Sequence, residues 1–330
     1  MIEFIYFGLE ALIIILLALF IALLFNGIER KLIARMQARI GPPITQPFID
    51  VKKLFIKENI VPDNAIPWIF NAMPLIALAS SLLVLLYIPF GGMPALLQNY
   101  GDLILVVYIM LIPSLALAIG AFASGSPYAS IGAQREIVIM ISYEFVLSVI
   151  VIAVAWLFSL AFPQANAFSF ATINEHAIWS VAGPVGIAGL FLLFISSLAV
   201  MPAKIGKLPI DLAEAKTEIA DGVLVEYSGR NLALLHMAQA TRMFAFASLI
   251  VALFLPWNLS NIFSLSGTLA LIGDFAFFLA KVFAVMFVSG IFVSAASARL
   301  KIDQAAKCYI SFIFLLSLIG LMLIGLDIML

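Results

Sequence analysis

Charged residues are scarce in this sequence of 330 residues: Asp, Glu, Lys and Arg together make up 11% of it, against 65% for hydrophobic residues. A soluble domain carries about 25% charged residues, so the composition excludes an ordinary soluble protein. Apolar runs of about 20 residues, the length that crosses a bilayer, recur along the chain, and the mean hydropathy is +1.19. The formal net charge of −1 offers no basic surface to nucleic acid, which we exclude as a partner. The sequence therefore predicts a polytopic membrane protein.

Metal ligands are also scarce. The chain has one cysteine, Cys308, and two histidines, His176 and His236, which lie far apart in sequence. An iron–sulfur cluster usually needs four cysteines, and a single thiol cannot form an internal disulfide. The sequence contains no HxxxH or CxxC motif and no Gly-rich phosphate loop. We predict that this chain itself holds no metal, nucleotide or other cofactor.

Eight apolar segments are predicted to cross the membrane as helices, because a helix pairs the backbone polar groups that lipid cannot. The first segment has no basic residues before it and contains Glu10, so we interpret it as a span and not as a cleaved signal. No soluble domain and no repeat of 20–50 residues is present. The predicted fold is a single integral all-α membrane domain, 1–330, with spans at 4–27, 69–89, 102–123, 136–160, 181–201, 231–256, 269–293 and 306–329.

The basic residues predict the orientation of these spans. All but two of the 17 Lys and Arg residues fall in the first, third, fifth and seventh connections. The two others, Arg242 and Lys281, lie inside spans. Since basic connections stay in the cytoplasm, we predict that the odd-numbered connections are cytoplasmic and that both termini are outside.

The first connection is predicted to contain two elements. The stretch "ERKLIARMQARIGPP" is expected to continue the first helix past the membrane and to stop at Gly41. The stretch "QPFIDVKKLF" has Phe48, Val51, Leu54 and Phe55 on one helical side, a pattern typical of an amphipathic helix lying in the membrane interface. The alternative is a plain anchor whose lysines are attracted to anionic lipid.

Ionisable side chains inside spans are candidates for function because they are expensive to keep in lipid. Glu144 is the strongest candidate, about 12 Å deeper than Glu136 if the fourth helix begins near that residue. Arg135 and Glu136 are then at the cytoplasmic mouth of the same helix. Glu136 and Glu144 are close enough around the axis to border one cavity. The alternative is that Glu144 is a paired structural residue between helices.

Two basic side chains lie within spans. Arg242 shares a broad face of the sixth span with His236 and Gln239, and Glu144 is a possible partner for it. Lys281 lies near the middle of the seventh span, with Asp274 about two turns toward the outside. Each could serve an ion path or form half of a static ion pair.

The stretch "PIDLAEAKTEIADGVLVEYSGRN", 209–231, is unusually acidic for this chain. The pattern predicts a helix that begins at Asp211, which would cap it, and ends at Gly222. Spacings of three and four residues would then place Asp211, Glu214, Glu218 and Asp221 on one stripe. Four like charges on a stripe repel, which raises pKa values and suits either proton transfer or a basic partner. A solvated surface is the alternative.

Three segments resemble a known family. They are "ERKLIARMQARIGPPITQPFIDVKKLFIKE", "SGSPYASIGAQREIVIMISYEFVL" and "PIDLAEAKTEIADGVLVEYSGRNLAL". They resemble the membrane subunit that joins the two arms of respiratory complex I, and its homologues in energy-converting membrane-bound NiFe hydrogenases. Quinone-reducing members have a longer insertion after the RIGP element and Arg-Ser at the position of Arg135-Glu136. Both departures resemble the hydrogenase branch, which includes formate hydrogenlyase and archaeal membrane-bound hydrogenase or sulfane reductase complexes.

The resemblance implies a non-catalytic, ion-translocating subunit of an oxidoreductase complex in a prokaryotic cell membrane. Its partners would be lipid, antiporter-like membrane subunits, and the large and small subunits of a peripheral arm that holds the NiFe centre and iron–sulfur clusters. The implied proton path comprises Glu144, Glu136, Asp211, Glu214, Glu218, Glu226, Arg242 and Lys281. The implied docking residues are Arg35, Arg39, Gln46, Asp50, Arg135, Asp221, Tyr227 and Arg230.

Three other functions remain open at the level of sequence. A quinone-reducing or sulfane-reducing complex would use the same membrane module. A stand-alone secondary transporter would tend to show inverted repeats with Gly- or Pro-broken spans in matching positions, and no such pair is visible. A passive anchor would need the basic first connection but not Glu144.

Overall fold

The computed structural model describes residues 2–164, 166–263 and 266–329. In these ranges the regular structure is helical, and eight helices or helix pairs are long and apolar enough to cross a membrane. The predicted all-α polytopic fold is confirmed. The helices are α1 (Ile2–Met36), α2 (Gln46–Ile56), α3 (Pro67–Leu85), α4 (Leu103–Ile109), α5 (Ile112–Ala123), α6 (Pro127–Ala161), α7 (Phe170–Glu175), α8 (Ile178–Val181), α9 (Pro184–Ile205), α10 (Lys216–Ile219), α11 (Gly229–Phe254), α12 (Leu259–Phe263), α13 (Thr268–Met286), α14 (Val293–Ala296), α15 (Ile302–Lys307) and α16 (Phe314–Met329).

Helix α11 is the centre of the bundle. It packs against α1, α2, α3, α9 and α13, and its residues are buried over almost the whole length from Ala233 to Phe254. The connections 37–66, 206–228 and 297–301 lie at one end of the bundle, which we call the basic side. The other end is called the opposite side.

Several helices begin or end away from the predicted boundaries. Helix α6 begins at Pro127, because proline is favoured in the first helical turn, where its missing N–H costs nothing. Arg135 and Glu136 therefore lie two turns inside this helix, whereas they were predicted to lie at its mouth. Helix α1 ends at Met36, five residues before the predicted stop at Gly41. Helix α9 continues to Ile205 and ends where Gly206 adopts a left-handed conformation, with φ of 71°.

The amphipathic helix predicted in the first connection is present as α2. Pro47 and Leu54 are buried in it, and Phe48 and Val51 pack against the core. Phe55 was expected on the same side, but its side chain is 51% exposed. Helix α2 lies against α1 and α11, so it is packed onto the spanning helices at the basic side.

The prediction of a helix from Asp211 to Gly222 is wrong. Residues 209–215 form turns and irregular backbone, α10 has only four residues, and three successive residues from Ala220 to Gly222 have positive φ. The backbone N–H of Val223 donates to the Ala213 carbonyl across this reversal, and a Cβ on Gly222 would lie 2.0 Å from that oxygen. Apolar side chains at irregular spacing are buried against the helices, and this tertiary packing overrides the local helix signal. These side chains are Ile210, Leu212, Ala213, Ala215, Ile219 and Val223.

Candidate functional site

A cluster of buried charges lies in the half of the bundle nearest the basic side, and Arg242 on α11 is at its centre. The Arg242 side chain is 6% exposed. Its Nη1 donates to Ser114 Oγ at 2.8 Å, and its Nη2 donates to the Ile205 carbonyl at 2.9 Å. Glu136 Oε1 lies 3.7 Å from Nη1. The Ser114 hydroxyl lies 3.3 Å from the Tyr143 hydroxyl, so Arg242 links α5, α6 and α9.

A second buried ion pair lies beside the first. Lys204, which is completely buried, donates from Nζ to Glu144 Oε1 at 2.8 Å. The same Nζ is 5.0 Å from the centroid of the Tyr143 ring and 5.7 Å from that of Phe246. The suggested pairing of Arg242 with Glu144 is therefore wrong, because Lys204 holds Glu144 and Glu136 holds Arg242. The Tyr143 ring lies beside Lys204 of one pair, and its hydroxyl reaches Arg242 of the other pair through Ser114.

Lys204 is a functional candidate that the sequence analysis missed. The predicted span ended at 201, so Lys204 was assigned to the connection that follows it. Because Gly206 supplies the natural stop for α9, the helix carries Lys204 back into the bundle. Glu29 was missed for a different reason: it was placed in the part of the first helix beyond the membrane, whereas its carboxylate is buried in an ion pair with Lys207. A Gly two residues after a lysine was the signal that could have identified Lys204.

Glu144 also borders the outside of the bundle. Its side chain is 16% exposed and lines a groove of about 410 Å³ between α4 and α6. Tyr108, Phe145 and Ile152, which line the same groove, are 53–66% exposed. A charge or proton on Glu144 is therefore accessible from the flank of the bundle, where a neighbouring membrane subunit or lipid would lie.

Glu214 connects this cluster to the basic side. Burial raises its pKa to about 7, an effect that Arg242 opposes and that the nearby carboxylates Glu136, Asp211 and Asp221 reinforce. Gln239 Nε2 lies 3.4 Å from Glu214 Oε1. Together with other residues from α3, α5 and α11, these side chains line a cavity of about 20 Å³, which is enough for about one water molecule.

The remaining acids of segment 209–231 do not form the predicted stripe. Arg299 donates from Nε to Asp211 Oδ1 at 2.7 Å and from Nη2 to Asp211 Oδ2. Arg135 Nη1 contacts Glu218 Oε2 at 2.6 Å. The Asp221 carboxylate lies 3.6 Å from Lys216 Nζ. Asp211, Glu218 and Asp221 thus each have a cation of their own, and the chain reverses direction at 220–222. Glu226 follows this reversal and is partly exposed.

Replacing Arg299 with Ala is expected to loosen segment 209–231. Arg299 also donates from Nη1 to Thr217 Oγ1 at 3.0 Å, so the substitution removes three charge-assisted hydrogen bonds, worth about 1.5–3 kcal/mol each when well buried and less at a half-exposed site. We expect faster proteolysis within 209–231 and a fall of a few degrees in the unfolding temperature of the chain in detergent. Lys307→Ala, an exposed lysine on the same side, is the control. Equal cleavage rates in both variants would contradict the prediction.

Lys281 lies outside the cluster. Its Nζ donates to the carbonyls of Leu255 and Trp257, both at 2.7 Å. These carbonyls follow the end of α11 on the opposite side, and Leu255 is 13 residues, or about 20 Å of helix, beyond Arg242. Asp274 is likewise occupied by hydrogen bonds from the backbone and hydroxyl of Ser260, at 2.7 and 2.6 Å. Within the residues that the structure describes, Lys281 therefore shares no continuous set of contacts with the other predicted path residues.

The predicted docking residues divide into a surface group and one buried residue. Arg35, Arg39 and Arg230 are exposed. Tyr227 is only 5% exposed, and its ring stacks on Phe70 with centroids 4.3 Å apart. The prediction that Tyr227 contacts a docked partner directly is therefore corrected, because this side chain is part of the core.

The other predicted docking residues form two polar contacts on the basic side. Gln46 Nε2 donates to Asp50 Oδ1 at 2.8 Å, and Arg30 Nη1 contacts Asp50 Oδ2 at 3.0 Å. The Arg135 side chain is 20% exposed, and the Asp221 side chain is 44% exposed. The basic side thus presents ordered charges of both signs.

Comparison with known proteins gives consistent matches. A sequence profile described as NADH dehydrogenase matches residues 9–325. Hydrogenase-4 component C of Escherichia coli (strain K12) is 31% identical over 245 residues, which cover 74% of each chain. Formate hydrogenlyase subunit 4 of the same strain is 29% identical over 288 residues, covering 86% of this chain and 88% of its own. An NADH-quinone oxidoreductase subunit of Anaplasma phagocytophilum (strain HZ) is 31% identical over 304 residues, covering 84% of each chain.

A solved structure supports the same relationship. A chain in the structure of the membrane-bound sulfane sulfur reductase, described as an archaeal respiratory membrane complex, is 34% identical and superposes with a TM-score of 0.83. The superposition covers 96% of this chain and 98% of the other. The resemblance predicted from the three motifs is confirmed at the level of family and fold. From the profile match and relatives above 30% identity over most of both chains, this chain belongs to the NADH dehydrogenase family.

Proposed function

We propose that this chain is the membrane-anchoring and coupling subunit of a multisubunit redox-driven ion pump in a prokaryotic cytoplasmic membrane. In this proposal the basic side faces the cytoplasm and docks a peripheral arm that carries iron–sulfur clusters and a NiFe centre. The chain links electron transfer in that arm to the movement of H⁺ or Na⁺. The printed names of its relatives, which include hydrogenase and formate hydrogenlyase components, support this assignment.

The observation that carries the proposal is the continuous set of ionisable groups from the basic side to the flank. Glu214, at the cavity beneath the basic side, is followed by Arg242 with Glu136, and then by Tyr143 and Lys204 with Glu144. Charged groups in a membrane interior are expensive and mark ion or proton pathways. Arg242 and Glu136 act on the protonation of Glu214 through their charges, so a change of charge on Glu214 alters the electrostatic potential at both of them.

Docking and proton uptake share the same surface in this proposal. The exposed arginines at 35, 39 and 230 and the ordered carboxylates of 209–231 lie on the same side of the bundle as Glu214. A redox arm seated there would place its changing charge above an acid that titrates near neutral pH. Antiporter-like membrane subunits would receive the ion at the groove beside Glu144.

A second candidate function differs in the terminal electron acceptor of the complex. The chain of the sulfane sulfur reductase complex is 34% identical over almost the full length, so the same coupling role in a sulfane-reducing complex is the second candidate. A quinone-reducing complex is supported by the match to an NADH-quinone oxidoreductase subunit. A stand-alone secondary transporter is disfavoured by the family to which the chain belongs.

Purification of the chain from its native membrane in a mild detergent tests the role as a subunit. We expect an iron–sulfur protein and further membrane proteins to co-purify in constant ratio. Recovery of the chain alone, after crosslinking in intact membranes as well, would contradict the proposal. The identity of the co-purified large subunit would distinguish hydrogenase from sulfane reductase.

Replacing Glu214 with Gln is expected to lower redox-driven ion movement by about tenfold or more. In the native chain Glu214 has a pKa of about 7, so it is protonated below this pH and ionised above it. The pH dependence that Glu214 contributes between about pH 6 and 8 should disappear in the variant. Vesicles made from the native membrane, driven by an artificial electron donor, provide the measurement. Glu58→Gln, an exposed acid on the same side, is the control, and an unchanged pH profile in Glu214→Gln would refute the assignment.

A further inference from the structure

A separate cavity lies at the basic side between α1, α2 and α11, with a volume of about 380 Å³. One face of each helix borders it: Leu23, Asn26 and Arg30 from α1, Leu232 and His236 from α11, and Pro47, Asp50, Val51, Lys53, Leu54 and Lys57 from α2 and its end. In α1 and α11 these positions are three or four residues apart, and in α2 they fall at 47, 50–51, 53–54 and 57, so one face of each helix borders the cavity. Its volume is within the range of sites that bind small molecules.

The walls of this cavity have two chemical characters. Leu23, Val51, Leu54 and Leu232 make the inner wall apolar. Arg30, Lys53 and Lys57 give the rim three positive charges, against one carboxylate, Asp50. The amide of Asn26, whose side chain is almost fully buried, also lines the wall.

The charge at the rim is only partly balanced within the chain. Asp50 is shared by Arg30 at 3.0 Å and Gln46 at 2.8 Å. In the ranges that the structure describes, neither Lys53 nor Lys57 lies within 4.0 Å of a carboxylate oxygen. The rim therefore carries two lysines whose charge is directed to a ligand or to solvent.

We propose that this cavity binds the headgroup of one anionic phospholipid. The phosphate lies between Lys53 and Lys57, Asn26 donates to an ester or hydroxyl oxygen, and the first carbons of the chains lie on the apolar inner wall. Helix α2 has the apolar and basic faces of an interfacial helix, so the rim is at the depth of lipid phosphates. A free phosphate ion would satisfy the lysines but would leave the apolar wall unused, and a zwitterionic lipid would place a second positive charge at a basic rim.

The test compares lipid retention by the native chain and by a variant with Lys53→Ala and Lys57→Ala. Both are purified in a non-ionic detergent together with the subunits that co-purify with them. Native mass spectrometry is expected to show one phospholipid fewer in the variant. Soluble short-chain phosphatidylglycerol should bind the variant about 25-fold more weakly, the product of about fivefold for each lysine near the membrane surface. Short-chain phosphatidylcholine and inorganic phosphate should bind both forms weakly and equally.

The matched control is Lys31→Ala with Lys52→Ala, which removes one charge from α1 and one from α2 at positions outside the cavity. It should retain the lipid of the native chain. Equal loss in the control would show general surface attraction and would overturn the proposal, as would full retention by the variant at 53 and 57. Tight binding of inorganic phosphate, or equal affinity for phosphatidylcholine, would also overturn it. Size-exclusion profiles identical to the native complex establish that each variant is folded and assembled.

Discussion

Replacing Glu144 with Gln is expected to reduce redox-driven ion movement to background, a loss of more than about tenfold. Gln has the shape of Glu but cannot take up and release a proton, and among the described residues Glu144 is the only carboxylate that lines the groove between α4 and α6. The measurement is ion uptake by membrane vesicles, with electron transfer recorded in the same sample. Electron transfer without ion uptake is the expected signature of a broken coupling step.

The control for this variant lies one turn further along the same helix. Ser148 lines the same groove, and its hydroxyl donates to the Glu144 carbonyl at 2.9 Å, so Ser148→Ala tests whether any change in the groove lowers ion movement. We expect Ser148→Ala to retain most of the native rate. If Glu144→Gln retains both assembly and ion uptake, Glu144 is not on the path. A chain that anchors the arm passively would give that result.

Lys204→Met is expected to destabilise the chain by about 3–5 kcal/mol, because it leaves the Glu144 carboxylate without its buried partner. Unfolding in detergent, followed by circular dichroism, provides the measurement. The double variant Lys204→Met with Glu144→Gln should recover most of the lost stability, since a neutral pair has no uncompensated charge. It should remain inactive in ion uptake, which separates the stabilising role of the pair from its role in the path.

Lys52→Met serves as the comparison for stability. Lys52 is an exposed residue of α2, and its replacement should change the free energy of unfolding by no more than about 0.5 kcal/mol. A loss at Lys204 as small as that at Lys52 would contradict the buried ion pair. A double variant no more stable than Lys204→Met would show that Lys204 acts through other contacts, such as those with Tyr143 and Phe246.

The spanning helices and α2 could be predicted from the sequence because their signals are local. Long apolar runs define the spans, and the alternation of faces in 46–57 defines the interfacial helix. The two candidate acids of α6, Glu136 and Glu144, were also identified, because an acid within an apolar run stands out without knowledge of its neighbours.

The partners of these acids could not be predicted, because pairing across the bundle depends on helix ends and rotations. Moving the end of α9 by four residues changed Lys204 from a connection residue into the buried partner of Glu144. The acidic segment shows the same limit. Its helix signal is local, but its conformation is determined by side chains such as Leu212 and Val223 that pack on helices distant in sequence.

The position of Glu144 has a consequence for the exit of a proton in the proposed role. Beyond Glu144, α6 continues to 161 with only three polar side chains, Ser148, Trp156 and Ser159, and α11 beyond Arg242 has only Ser248. This stretch of α6 is about 25 Å long and contains no ionisable side chain. In the proposed role, a proton that reaches Glu144 therefore leaves sideways through the groove between α4 and α6, and not along either of these two helices.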